Sequence, residues 1–230
     1  FIEFPHALSQ ATEYKRSLDL NTAIADVRYS VNSIQYRRES FASYPDKVFV
    51  IRLTSSKKNS IHFHAWLNSK LRYNATAISS DEMVLKGKAP MHVAHRNSEP
   101  VQVVYDHRDE GEGLKFEIRV KIKAEGGQLV KTDSSIRVSD ADAVTIYVTE
   151  ATAFNGFDKS PGLEGKDPSV ESTESMKGAF TKSFEKGVEK RSASLYFCLS
   201  TRCHPNVAAL PPARMATGSG TRRFSPPGAS

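Results

Sequence analysis

Cysteine is nearly missing from this 230-residue chain: the only two, Cys198 and Cys203, lie near its C-terminal end. Residues 1–168 therefore hold neither a disulfide nor thiol chemistry. Long apolar runs are missing too, since no stretch approaches about 18 apolar residues. The opening FIEFPHALSQ lacks the charged and apolar regions of a signal peptide. The expectation is a chain that neither spans a membrane nor carries its own export signal. Charge of one sign is also scarce in the body. Residues 1–168 carry 23 Lys and Arg against 22 Asp and Glu, a net of +1, so nearly all of the formal net charge of +6 comes from residues after 186. A nucleic-acid-binding body is argued against, because phosphate contacts would rest on that tail alone.

What is present, from about residue 11 to residue 150, is alternation of period two. Ala23, Ala25, Val27, Tyr29 and Val31 share a strand face, Asn32-Ser33 makes a turn, and residues 35–42 return. After Pro45-Asp46, residues 47–54 carry apolar side chains on both faces, which suggests an interior strand. Ile61, Phe63, Ala65 and Leu67 lie opposite His62, His64 and Trp66. The clearest alternation sets Leu114, Phe116, Ile118, Val120 and Ile122 against Lys115, Glu117, Arg119, Lys121 and Lys123, one face for a core and the other for water. Gln128 to Lys131, Ile136 to Val138 and Val144 to Val148 supply further short strands. Strands spaced by roughly 8–12 residues predict an all-β, two-layer antiparallel β-sandwich. The alternation ends near residue 155 in FNGFDKSPGLEGKDP, a loop rich in Gly, Pro and Asp. Residues 172–186 then read as a short amphipathic helix with Met176, Ala179, Phe180 and Phe184 on one side. From Gly187 onward Ser, Ala, Arg and Pro dominate, which predicts disorder.

The polar clusters give weak chemical signals. Asp106, Asp109, Glu110 and Glu112 stand in YDHRDEGEG between two strands, where solvated loop charge is the expectation rather than an acid and base pair. His62 with His64, and His92 with His95, have spacing that can serve a metal, but no third ligand type accompanies them. Neither a metal nor any other cofactor is expected. Trp66, the single tryptophan, can stack on a sugar ring or cap a sheet edge. Asn74-Ala75-Thr76 has the pattern of a glycosylation acceptor, which matters only on a secretory route. Cys198, Cys203 and His204 have no second pair to complete a metal site.

Six segments in order resemble the N-terminal domain of glycoside hydrolase family 95, the α-L-fucosidase type. They are FPH at 4–6, YKRSLDLNTAIADVRYSV at 14–31, YRRESFASYPDKVFVIRLT at 36–54, LKGKAPMHV at 85–93, GLKFEIRVKIKAEGG at 113–127 and ATAFNGFDKSPGLEGKDP at 151–168. The resemblance covers about residues 3–168 and implies a supersandwich-like domain, a linker, and an (α/α)6 helical barrel that performs the chemistry. It further implies an inverting hydrolase, which needs two carboxyl groups about 6.5–9.5 Å apart, both on that barrel and none in this chain. On this reading residues 1–168 are the sandwich domain, 169–186 a linker-helix stub and 187–230 a tail that a frameshift has replaced. The expected role is a scaffold for a parent acting on α-L-fucosyl or α-L-galactosyl linkages, inactive alone. A free-standing carbohydrate-binding sandwich is the alternative. The expected partners are the barrel and, through the parent, a fucosylated or related glycan, with no nucleic acid and no membrane. The resemblance leaves an extracellular or periplasmic location open. The loop residues Asn155, Phe157, Asp158 and Lys159 are the candidates to face the substrate cleft or to brace the barrel interface, and bracing is favoured because junction loops need Gly and Pro for geometry alone.

Overall fold

The structure, a computed structural model, describes residues 1–96, 98–108 and 111–187. In chain order the strands are β1 (Ile2–Glu3), β2 (Thr12–Asp19), β3 (Ile24–Val31), β4 (Ile34–Ser43), β5 (Val48–Ser55), β6 (Ile61–Trp66), β7 (Arg72–Ala77), β8 (Glu82–Lys88), β9 (His92–Val93), β10 (Val103–Val104), β11 (Lys115–Glu125), β12 (Gln128–Lys131), β13 (Ser135–Ala141) and β14 (Ala143–Thr152). One helix, α1 (Pro168–Phe180), follows them. Eight strands form an antiparallel sheet in the order β2-β3-β4-β5-β14-β11-β8-β7, and four form a second in the order β1-β6-β13-β12. The all-β sandwich expected from alternation is the architecture observed.

Local chemistry accounts for several of these elements. Asn32 and Ser33 join β3 to β4 with φ of 49° and 64°. Positive φ at both central residues suits a two-residue hairpin, whose twist then follows that of the strands. β5 lies between β4 and β14, and Leu53 on one face and Val48 and Val50 on the other are all buried. β2, β7 and β8 are strands that alternation alone does not mark. β2 is exposed along its length, and β8 buries Met83, Val84 and Leu85 in succession.

Between the sheets sits an aliphatic and aromatic core containing Leu53, Ile61, Phe63, Met83, Ile122, Ile136, Val138, Val144 and Ile146. Each such side chain, fully buried, contributes about 1.5–3 kcal/mol relative to exposure. A second cluster lies on the opposite face of the large sheet, where Phe41, Val48, Val50 and Tyr147 meet Met176, Ala179 and Phe184.

Helix α1 starts at Pro168, four residues before the expected position, and ends at Phe180 rather than 186. Asp167-Pro168, which read as loop, is the N-cap and first helical residue. The Asp167 carboxylate accepts from the Ser169 backbone N–H at 2.9 Å, and proline suits a position whose N–H has no helical partner. Residues 184–187 make one more helical turn. The tail expectation, the frameshift and Cys198, Cys203 and His204 lie outside the described residues from 188 onward.

The outward face of β11 corrects the expectation that it meets water. Helix α1 lies over it, so the Glu117 side chain is wholly buried and Arg119 nearly so. Glu117 Oε1 accepts from Arg119 Nη2 at 2.9 Å and from the Ser172 hydroxyl, while Glu117 Oε2 lies 3.7 Å from Lys86 Nζ. Glu82 accepts from Arg119 Nη1 at 2.6 Å and from Lys121 Nζ at 3.0 Å. Thr149 Oγ1 donates to the Ser172 carbonyl at 3.0 Å, which ties the helix to β14. A charged face can be buried in this way only because each head group is offered a counter-charge or an acceptor.

Candidate functional site

Where β14 ends, the chain enters the loop that carries Asn155, Phe157, Asp158 and Lys159. Ala153 fixes both of its ends: its N–H donates to the Lys115 carbonyl at 2.8 Å and its carbonyl accepts from Lys166 N at 2.9 Å. Asn155 turns inward, and its Nδ2 donates to the Glu164 carbonyl at 3.0 Å. Ser160 N donates to the Glu164 carboxylate at 3.2 Å, and the Ser160 carbonyl accepts from Glu164 N at 2.8 Å. Gly156, at φ +123°, takes a backbone conformation that side chains disfavour.

The loop is clamped from outside by residues 106–108 and 111–113. Ser160 Oγ donates to Glu112 at 3.2 Å. Gly162 lies so close to this turn that a side chain would place its first carbon 2.7 Å from the Gly111 carbonyl oxygen. Asp106 folds the turn by accepting from Arg108 Nη2 at 2.7 Å and from Glu112 N at 3.0 Å. The Arg108 guanidinium, with the backbone N–H groups beside it, holds the Asp106 carboxyl far below the usual carboxylate range. Asp106 and Glu112 are thus structural carboxylates, one fixing a turn and the other gripping the loop. Asp109 and Glu110 lie outside the described residues.

The braced loop carries an exposed apolar surface. Phe157 is 98% exposed, and Phe154, Leu163 and Val170, near it in sequence, are each more than half exposed. Asp158 and Lys159 follow Phe157 and are also exposed. Asn155 therefore separates from the other three candidates: it holds the loop's shape while they form its tip. Fixing a large aromatic ring in water has no stabilising effect within the described chain, so rigid presentation suits contact with another surface.

Trp66 belongs to the other sheet. Its ring stacks on Phe1 at 5.7 Å between centroids with 12° between planes, and His64 lies 5.5 Å away. Trp66 N donates to the Phe1 carbonyl at 3.1 Å, so a backbone bond and the ring stack both join the end of β6 to the first residue of the chain. The histidines are used between strands. His64 Nε2 is 2.7 Å from Ser135 Oγ, and His62 Nδ1 accepts from Asp140 N at 3.2 Å. Among the described residues no group of three or more His, Cys, Asp or Glu side chains is placed to hold a metal ion.

The clamp between Ser160 and Glu112 joins residues 48 apart in sequence, and sequence reasoning missed it. Its one signal was a glycine-rich composition in both YDHRDEGEG and PGLEG, two segments that approach backbone to backbone.

A family model described as "Glycosyl hydrolase family 65, N-terminal domain" matches residues 1–156. Among curated proteins, "Alpha-L-fucosidase 2" from Arabidopsis thaliana is 27% identical over 176 residues, covering 74% of this chain and 21% of that protein. "Probable alpha-fucosidase A" from Aspergillus oryzae is 25% identical over 168 residues, 70% of this chain and 21% of that protein. The chain thus spans about a fifth of the length of the curated relatives it matches. A solved structure described as "Putative kojibiose phosphorylase from human microbiome" superposes with a TM-score of 0.52 at 14% identity, covering 81% of this chain and 25% of that one. At that identity the likeness is one of fold.

Proposed function

The chain belongs to the family of glycosyl hydrolase family 65 N-terminal domains, and on that premise we propose that it is the scaffold domain of a family 95 enzyme of the α-L-fucosidase type. The names of the curated relatives support the choice of fucosidase. One structural observation carries the scaffold role: a loop pinned at Ala153 and clamped through Ser160 and Gly162 presents Phe157 fully exposed.

In this reading Phe157, Asp158 and Lys159 meet the helical barrel of the parent enzyme, Asn155 keeps the loop in shape, and Trp66 caps a sheet edge. The glycan is the partner of the parent, which hydrolyses α-L-fucosyl or α-L-galactosyl linkages with inversion, and acid and base come from the barrel. The domain's contribution is orientation, achieved by fixing the interface rather than by touching reacting atoms.

The test compares this chain alone with a fusion to the part of the Arabidopsis relative that follows the aligned segment. The expected result is L-fucose release from 2'-fucosyllactose by the fusion and none by the chain alone. Release by the chain alone would refute the scaffold role, and a folded fusion without activity would count against the fucosidase assignment.

A further inference from the structure

The two sheets of the sandwich end on four edge strands, and three of these are guarded. β1 and β12, at the edges of the small sheet, are only two and four residues long. β7, at one edge of the large sheet, is tied to its own chain: Arg72 N donates to Tyr105 Oη at 3.3 Å and Ala77 N to the Asp133 carbonyl at 2.9 Å. Short edges and covered edges are ordinary ways in which a fold avoids adding a foreign strand. β2, at the other edge of the large sheet, has neither. It runs for eight residues, pairs with β3 alone, and is exposed throughout.

Two irregularities confine what this edge can offer. At the start of β2 the register with β3 shifts between Thr12 and Lys15, where Glu13 takes a φ of 53°. At its end Asp19 accepts from Asn21 N at 2.9 Å and opens the turn to β3. The regular edge between them is Lys15-Arg16-Ser17-Leu18-Asp19, and Tyr14, Leu18 and Leu20, within it or beside it, are each more than half exposed. Charge is unbalanced here. Lys15 lies directly opposite Arg28, and Arg28 opposite Arg37, so three cations cross the sheet in one row. Asp26 binds both arginines, at 2.8 and 2.5 Å, whereas Lys15 has no carboxylate within salt-bridge reach among the described residues. Like charges directly opposite one another destabilise a strand pair, and the side of Lys15 away from β3 is the open edge.

We propose that β2 pairs antiparallel with β2 of a second copy of this chain, about a two-fold axis at Ser17, so that two eight-stranded sheets become one. The edge is self-complementary about that residue, as a two-fold contact requires. Lys15 faces Asp19 of the other copy, Arg16 faces Leu18, Ser17 faces Ser17 and Tyr14 faces Leu20. Opposite charges and apolar pairs across strands are each stabilising. Any other register that keeps the faces of the sheet continuous slips by two residues. One such slip sets Arg16 against Arg16 and Glu13 against Asp19, and the other runs Lys15 into the turn at Asn21. Lys15 and Arg16 thus repel most foreign strands, while this one register gives Lys15 the counter-charge that β3 does not supply. A contact one strand wide falls short of the roughly 800 Å² per partner that stable complexes bury. The dimer is therefore weak, with a dissociation constant on the order of 100 μM.

Sedimentation velocity of the full chain from about 5 to 500 μM tests this. The expected result is monomer and dimer in exchange, with association weakened about tenfold or more by Lys15→Glu, which sets like charges together at both ends of the pairing. Asp19→Lys should weaken it too, and an equimolar mixture of the two variants should regain association, because each charge reversal then meets the other. Asp19→Lys also removes a turn acceptor, so a second measurement stands apart from it. In a background of Cys198→Ser and Cys203→Ser, mild oxidation should cross-link Ser17→Cys into a dimer and leave Lys15→Cys largely monomeric. Directly opposed residues have Cα atoms about 4.5–5.5 Å apart, which is within disulfide reach. A chain that stays monomeric across the range overturns the proposal, as does a dimer indifferent to Lys15→Glu, a mixture of the two folded variants no more associated than either alone, or equal cross-linking from positions 15 and 17. None of these outcomes bears on the fusion assay, so the dimer can fail while the scaffold role stands.

Discussion

The large sheet is buried on both faces by different means. Its inner face presents Leu53, Met83, Ile122, Val144 and Ile146 to the small sheet, a mainly apolar contact. Its outer face, under α1, sets Val48, Val50 and Tyr147 beside Glu117, Arg119 and Thr149, each of which makes at least one specific hydrogen bond. Apolar burial is non-directional and depends on how much surface leaves water. Polar burial depends on particular atoms meeting. The inner contact therefore holds two sheets together, whereas the outer one sets where the helix lies and how the junction loop leaves β14.

That comparison breaks most visibly at Ile136, which is completely buried. Ile136→Ala should cost about 3 kcal/mol, lost apolar transfer plus a cavity, read as a lower midpoint in urea unfolding. On the outer face, Glu117→Leu should cost about 2 kcal/mol, because Arg119 and Ser172 lose their shared acceptor. The sharper form is a double-mutant cycle: Glu117→Leu and Ser172→Ala should couple, while Ile136→Ala and Ser172→Ala should add. Next, Asp167→Ala should cost about 1 kcal/mol by removing the N-cap of α1, and amide exchange should quicken in the first helical turn ahead of the sheet.

The smallest effect is on pH dependence. Burial pushes the His6 pKa below its ordinary 6.5, so the unfolded chain takes up the proton first as pH falls. The contribution of neutral His6 is complete above about pH 6.5 and declines as pH drops through its lowered folded value. His6 Nε2 lies 3.1 Å from Tyr29 Oη, and His6→Gln, which keeps an amide near that hydroxyl, should flatten that part of the stability profile. An unchanged slope would mean that His6 is hydrated as fully in the folded chain as in the unfolded one.

These differences also explain how far the sequence could be read. The inner half of β11, the double-faced β5 and the Asn32-Ser33 hairpin were legible because each follows from residues a few positions apart. The outer half of β11 was misjudged as solvated because its partner, Ser172, lies 55 residues away from Glu117. Helix α1 was placed late because Asp167-Pro168 serves a loop and an N-terminus equally well. At the candidate site, Gly and Pro marked a shaped junction loop, and the favoured bracing role for it stands as a proposal. The inward turn of Asn155 and the clamp to Glu112 needed tertiary structure.

The account rests most directly on the exposed tip of the junction loop, and the decisive measurement is L-fucose release by the fusion enzyme carrying Phe157→Ser against one carrying Trp66→Ala. The account predicts a loss of about tenfold or more for Phe157→Ser, as expected when a central aromatic contact is removed from an interface, with Trp66→Ala close to the unaltered fusion. Equal rates for the two variants, or a loss confined to Trp66→Ala, would contradict it.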